Sequence, residues 1–388
     1  MRKMKLWFIS VNRVSDKDFV RYGLQELATK GVDIEVIDLS DLMWGTSDEK
    51  LTNTLLFEQT YCGKLPEFRS VVDRISTVDV VLCGGTLSPK LHYTLSKKCR
   101  YIGLQVLGAM PQLSTPTSHN IIKKILVAAK GKRFLRRVFL KVYSYMIFKK
   151  LPYFFVQRAG YLSSSLYPGI NSQTKILECQ CYDVYQYLYE AQFDSSKSKK
   201  GEYLLWIDQA IPFHTDTLKC NGDISHHAES YFSRIQSLLR KYGEMYGLKI
   251  IVSLHPRMLN NSRYQESWKG WTVIKKDTID YIKYSKLCLT HNSTAIHAAA
   301  FFGTPLVVVR DKLLSDHGYD IGLSDSFYRE LNCNLIESDC IDQPELNFEV
   351  NHERYDEYIR KYVSNTAIQT PINAEAIYNF MCFIEKEG

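Results

Sequence analysis

Three short polar groups, each placed directly after an apolar run, are the residues of this chain best suited to chemistry. Asp208 and Gln209 follow "YLLWI", His255, Pro256 and Arg257 follow "KIIVSL", and Asn292, Ser293 and Thr294 follow "KLCLTH". A carboxylate at a core edge can be tuned by burial or by a charged neighbour into a nucleophile or a general base. An imidazole can donate, accept or carry a proton near neutral pH. Hydroxyls at a helix start, with its unpaired amides and the positive end of its dipole, favour an anion such as a phosphate by about 0.3–1 kcal/mol near the surface. Each group also has an ordinary alternative. Ser293 or Asn292 can be a plain N-cap, His255 a hydrogen-bonded residue ending a strand, and Asp208 a turn or cap carboxylate.

The elements that must position these groups alternate along the chain. "KLWFIS" (5–10) and "DIEVIDLS" (33–40) are rich in β-branched and aromatic residues, and "DFVRYGLQELATKG" between them has helical spacing and a closing glycine. That is a β-α-β unit. "VDVVLCGG" (78–85) and "YIGLQVLG" (101–108) repeat it, and "YFFVQRAG" (153–160) reads as the strand that closes the first domain. After the polar stretch "DSSKSKKGE" (194–202) a second series begins. Its parts are "YLLWID" (203–208), a helix near Ala228–Tyr246, "LKIIVSLHP" (248–256), "KLCLTH" (286–291), a helix from about Thr294 to Phe302 ending at Gly303, and "TPLVVVR" (304–310). The fold class is therefore α/β, with two Rossmann-like domains in tandem. Ligands of such sheets sit at the carboxyl ends of the strands, where all three polar groups fall. The tail "TPINAEAIYNFMCFIEKEG" predicts an amphipathic helix.

Composition narrows the function classes. The 388 residues are 45% hydrophobic and 23% charged, which excludes disorder and allows two cores. No apolar stretch is long enough to span a membrane, and no signal-peptide core is expected at the start. The ten cysteines lack metal-site spacing and read as reduced thiols of a cytoplasmic protein. There is no Walker A sequence and no GxGxxG. The net charge of +7 is concentrated: Ile121 to Lys150 holds ten Lys or Arg and no acid, interleaved with apolar residues at roughly helical spacing. Such a segment suits an anionic membrane surface or, alternatively, a solvated helix face. Nucleic acid is disfavoured, since no nucleic-acid module accompanies the charge.

At "LLWIDQAIPFHTD", "HHAESYFSRI", "KIIVSLHPR" and "THNSTAIHAAAFFGTPLVVV" the chain resembles bacterial surface-polysaccharide glycosyltransferases that use CMP-activated acidic sugars. It is most similar to the retaining β-Kdo transferases of O-antigen and capsule assembly. The resemblance is strong over roughly 200–310 and a matter of layout elsewhere. It implies a GT-B fold, two Rossmann-like domains facing across a cleft. The domains would be 1–165 on the acceptor side, 166–365 for the CMP-sugar, and a C-terminal helix over 366–388 crossing back to the first.

The resemblance also implies that His255 and Pro256 contact the nucleotide phosphate and that Ser293 and Thr294 bind it at the helix start, with Asn292 beside them and Arg257 adding charge. Asp208 falls where the retaining enzymes place the carboxylate assigned to a covalent sugar adduct, and Glu229 matches a recurring acid with no assigned role. As a first-turn helix acid, Glu229 equally complements a helix dipole. Gln209 stands where many relatives carry an acid, and Asn292 where serine is common.

The expected reaction moves Kdo or a related ulosonic acid from a CMP-sugar to a lipid-linked or lipopolysaccharide glycan, with no metal and no further cofactor. The only Asp-x-Asp, Asp16 to Asp18, lies in the other domain. The protein would be cytoplasmic and peripheral on the inner membrane face through 121–150. As a base rather than a nucleophile, Asp208 would describe an inverting transferase, such as one using CMP-sialic acid. A CDP-glycerol-type polymer phosphotransferase, a UDP-sugar 2-epimerase and a non-catalytic scaffold are the other readings.

Overall fold

The computed structural model describes residues 5–14, 16–45, 57–108, 110–111, 142–161, 167–193, 201–214, 223–312, 321–340, 344–364 and 370–387. Most of the basic segment, 121–141, lies outside them. The chain divides into two compact units. Among the described residues no helix is long and apolar enough to cross a membrane.

The first unit holds a seven-stranded, wholly parallel sheet. Its strands are β1 (Lys5–Ser10), β2 (Asp33–Asp38), β3 (Glu58–Tyr61), β4 (Val80–Cys83), β5 (Tyr101–Val106), β6 (Phe155–Ala159) and β7 (Lys175–Cys179), in the order β3-β2-β1-β4-β5-β6-β7. Near-continuous apolar runs such as Leu6 to Ile9 and Val80 to Cys83 are buried because helices cover both faces. β7 corrects the expected boundary at 165/166. It pairs with β6, and the helix Tyr182–Ala191 follows it, so the first unit runs on to Glu190.

The C-terminal helix Asn373–Glu387 packs in the first unit, as expected, and residues 360 to 388 belong to that unit. Ala374, Ile377, Phe380, Met381 and Ile384 join the core cluster that contains Phe155. Its start is pinned by a buried amide exchange: Gln180 N donates to Asn373 Oδ1 at 2.7 Å and Asn373 Nδ2 donates to the Gln180 carbonyl at 2.9 Å. The return of the chain also constrains Gly160, which has φ +67 and lies so close to the Lys361 backbone that a Cβ would overlap its carbonyl. Gly160→Ala is expected to lower unfolding stability by more than about 2 kcal/mol, since it combines left-handed strain with a backbone clash. Urea denaturation measures this.

The second unit repeats the topology. Its strands are β8 (Tyr203–Ile207), β9 (Lys249–Ser253), β10 (Val273–Ile274), β11 (Leu287–Thr290), β12 (Leu306–Arg310) and β13 (Asn334–Glu337), in the order β10-β9-β8-β11-β12-β13, again all parallel. Counted within the unit this is 3-2-1-4-5-6, the doubly wound order whose switch point lies between the first and fourth strands. The long helix Ala228–Tyr246 lays Tyr231, Phe232, Ile235, Leu238, Leu239 and Tyr242 onto the sheet, a spacing of three and four residues.

Candidate functional site

Sheet order brings the three sequence groups together. β9, β8 and β11 are neighbours at the centre of the second sheet, so the residues after their carboxyl ends share one edge. His255 follows β9, Asp208 follows β8, and His291 to Thr294 follow β11.

Asp208 is only 2% exposed. Its Oδ2 accepts from Trp268 Nε1 at 2.8 Å and its Oδ1 from the Ala210 amide at 3.2 Å. The Tyr264 hydroxyl also hydrogen-bonds it, and Tyr264 Oη in turn accepts from the His255 amide at 2.9 Å. A buried carboxylate thus ties the end of β8 to the end of β9 through Tyr264. The Ala210 amide contact also holds that residue at φ 50, a left-handed conformation unusual for alanine. Burial raises the Asp208 pKa, with the Tyr264 and Trp268 hydrogen bonds pulling the other way.

His255 sits at the start of the 3₁₀ turn Pro256–Met258, with Pro256 and Arg257 exposed. Its ring meets that of His214 edge to face at 4.7 Å between centroids, and its Nδ1 is buried without a hydrogen-bond partner. Burial, then the His214 and Arg257 charges, push its pKa down to about 3. The ring is therefore neutral at pH 7. Buried His291 is shifted the same way, mainly by burial.

These shifts set a pH dependence. The unfolded chain takes up the histidine protons near pH 6.5, as a free imidazole does, whereas the folded chain resists them. The histidine contribution is full above that pH and is lost as pH falls toward 3. Asp208 acts in the opposite sense: its raised pKa favours the folded state at low pH, and that contribution is lost as pH rises through the folded value. Urea denaturation of wild type and His255→Asn at pH 8 and pH 5 isolates the first effect. Wild type is expected to lose more stability between the two pH values than the variant.

The helix after β11 begins later than its sequence suggests. It spans Ile296–Phe302, and Gly303 closes it at φ 65 as expected. Ser293 Oγ accepts from the Ala295 amide at 3.2 Å, while the Ser293 and Thr294 carbonyls accept from the amides of Ile296 and His297. The expected N-cap at Asn292 or Ser293 is thus a turn that leads into the helix. Ser293 and Thr294 are half-buried at this turn.

The two positions at which the chain departs from its resemblance prove to be one feature. Gln209 Nε2 donates to Asn292 Oδ1 at 2.8 Å, and the Asn292 amide donates to Gln209 Oε1 at 2.9 Å. This interlock spans the switch point between β8 and β11. A carboxylate at position 209 would lose the donor that Asn292 Oδ1 receives, so glutamine and asparagine belong together here.

Glu229 is not brought into this group. It stands exposed on the first turn of the helix Ala228–Tyr246, where it complements the dipole. His291 is a structural residue, held between the Val309 carbonyl at 2.7 Å and the Tyr231 hydroxyl at 2.8 Å. His297 is likewise buried and meets the Tyr358 hydroxyl at 3.0 Å. Sequence reasoning missed Tyr264, Trp268 and His214. The first two are four residues apart, a helical spacing that puts them on one face, and this was their only local signal.

No protein-family model matches the chain, and no curated protein matches it. Solved structures do. A histidine-to-asparagine variant of the wall teichoic acid polymerase TagF is similar with a TM-score of 0.51 and 10% identity, covering 100% of this chain and 89% of that one. A histidine-to-alanine variant of the same polymerase gives 0.50 and 11%, covering 100% and 90%. A UDP-GlcNAc 2-epimerase from Methanocaldococcus jannaschii gives 0.48 and 16%, covering 98% and 100%. With its two Rossmann-like sheets, the chain has the GT-B fold.

Proposed function

We propose that this chain is a glycosyltransferase that moves an acidic sugar, Kdo or a related ulosonic acid, from a CMP-sugar to a glycan acceptor of a surface polysaccharide. The observation that carries the reading is the convergence of Asp208, His255 and the Ser293-Thr294 turn on three adjacent strand ends of the second unit. In this reading Ser293 and Thr294 hold the CMP phosphate, neutral His255 hydrogen-bonds it beside Pro256, and exposed Arg257 adds positive charge. Donors already in place stabilise the charge that develops as CMP departs.

Asp208 attacks the anomeric carbon in the retaining version, and an acceptor hydroxyl resolves the adduct. Its burial adds a requirement: one carboxylate oxygen must first part from Trp268 or from the Ala210 amide. The same burial favours a second role, in which Asp208 only positions His255 through Tyr264.

Incubation with a panel of CMP-sugars and, separately, with CDP-glycerol, each beside lipid-linked or lipopolysaccharide glycans, tests the proposal. CMP release with sugar gained by the acceptor is expected. Phosphorus in the product would instead favour polymer phosphotransfer, the reaction class that the fold likeness to a teichoic acid polymerase brings to mind. Release of no nucleotide across the panel would sink both.

The acceptor and membrane partners belong to the same proposal. Residues 142–150, the described end of the basic segment, are helical, with Val142, Tyr145 and Met146 exposed by 51%, 65% and 51% and Phe148 buried in the first core. An apolar stripe beside Lys149 and Lys150 suits an anionic interface. In flotation assays the chain is expected to rise with vesicles containing phosphatidylglycerol and not with phosphatidylcholine alone. Equal behaviour with both would remove the membrane from the account.

A further inference from the structure

The first unit carries a second cluster at strand ends, after β1, β2 and β3. Trp44 ends the short helix Ser40–Trp44 and is 59% exposed, while its indole Nε1 donates to the Val11 carbonyl at 2.8 Å. Tyr61, the last residue of β3, is 41% exposed, and its hydroxyl donates to Gln59 Oε1 at 2.9 Å. Both polar tips are tied back to the protein, so what these rings offer solvent is mainly apolar ring surface.

Charged groups accompany them. Arg13, in the loop after β1, donates from Nη2 to Asp41 Oδ1 at 2.8 Å, and its guanidinium lies 5.9 Å from the Tyr61 ring centroid. Asp38 ends β2 with its side chain 1% exposed. Its Oδ1 accepts from the Ser40 amide at 2.8 Å, but its Oδ2 has no hydrogen-bond partner, the nearest cation being Arg13 Nη1 at 4.0 Å. Arg13 Nε is buried and equally unmatched. A buried carboxylate oxygen and a buried N–H, both unsatisfied, are costly unless a further donor and acceptor complete them.

We propose that Trp44, Tyr61, Arg13 and Asp41, with the buried charge of Asp38 beside Arg13, form a saccharide-binding surface for a neutral or amino sugar. Sugar rings present C–H faces that pack on aromatic surface and hydroxyls that both donate and accept. A sugar can therefore pack a C–H face on Trp44 or Tyr61 and donate a hydroxyl to the partly exposed Asp41 carboxylate, a combination that an apolar group does not offer. Two carboxylates against one guanidinium leave the cluster net negative, which selects against an acidic sugar. Taking this surface as the acceptor site rests on the glycosyltransferase reading; binding of saccharide to it does not.

The test uses the full chain on an array of immobilised neutral, amino and acidic oligosaccharides, beside CMP-induced thermal stabilisation. Binding to neutral or amino members, weakened roughly tenfold or more by Trp44→Ala and by Tyr61→Ala but not by Tyr61→Phe, is expected from the loss of one aromatic face. Asp41→Asn, at a partly exposed carboxylate, is expected to weaken amino-sugar binding most, and all four variants should keep the wild-type melting temperature and CMP response. Binding to no neutral or amino member, preference for acidic members, or indifference to Trp44→Ala would overturn the proposal. Saccharide binding without any CMP response would instead leave this surface standing and remove the glycosyltransferase reading.

Discussion

Asp208→Ala is expected to lower unfolding stability by about 3–5 kcal/mol and to abolish sugar transfer, because it strips the acceptor from several buried donors at once. Trp268 Nε1, the Ala210 amide and the Tyr264 hydroxyl all lose their partner in a pocket where Asp208 is 2% and Tyr264 0% exposed. Each orphaned donor costs about 1–3 kcal/mol, partly relieved by relaxation, so the sum is large for one side chain. Urea denaturation followed by indole fluorescence reads it, since Trp268 is itself a reporter.

Asp208→Asn separates structure from chemistry. It keeps the shape but turns one acceptor into a donor, in a site whose two carboxylate oxygens both receive N–H groups. A smaller stability loss, about 1–3 kcal/mol, is expected. As a nucleophile Asp208 cannot be replaced by an amide, so transfer falls by orders of magnitude while CMP still binds. As a positioning residue alone, its loss raises KM for the donor and leaves measurable kcat, and the pH profile shifts through His255.

The second large effect is expected at the turn after β11. Combined Ser293→Ala and Thr294→Val should weaken CMP binding by about a hundredfold or more, since each hydrogen bond to a charged phosphate contributes on the order of 1.5–3 kcal/mol. The fold should suffer little. The only hydrogen bond that the pair makes through a side chain in the described structure is Ser293 Oγ to the Ala295 amide, a cap-like contact of about 1 kcal/mol. Isothermal titration with CMP, beside a denaturation curve, checks both halves. Unchanged affinity would move the phosphate away from this turn.

Much of the fold was legible in sequence because its strongest signals are local. Continuous apolar strands such as Tyr203–Ile207 and the three-and-four spacing of Ala228–Tyr246 identify themselves. β3, with "EQTY", and β13, with "NLIE", are short and polar, and only their neighbours make them strands. β7 follows a loop rich in turn residues, which drew the expected boundary some 25 residues too early. The site was legible as three strand-end motifs, yet the groups that organise it were not. Asp208 meets Trp268 and Gln209 meets Asn292 across 60 and 83 residues. Such pairings leave no periodic trace, and they explain why Gln209 and Asn292 looked like separate oddities.

The proposed transfer requires first that the second unit bind CMP at its adjacent strand ends. Thermal unfolding with CMP, CDP, UDP and GDP in turn tests it most directly, because a ligand that binds only the folded chain raises its midpoint in proportion to RT ln(1 + [L]/Kd). CMP is expected to raise the midpoint more than the other three, and Ser293→Ala with Thr294→Val to erase the gain. Stabilisation by UDP or GDP in preference to CMP, or a CMP effect untouched by that double substitution, would contradict it.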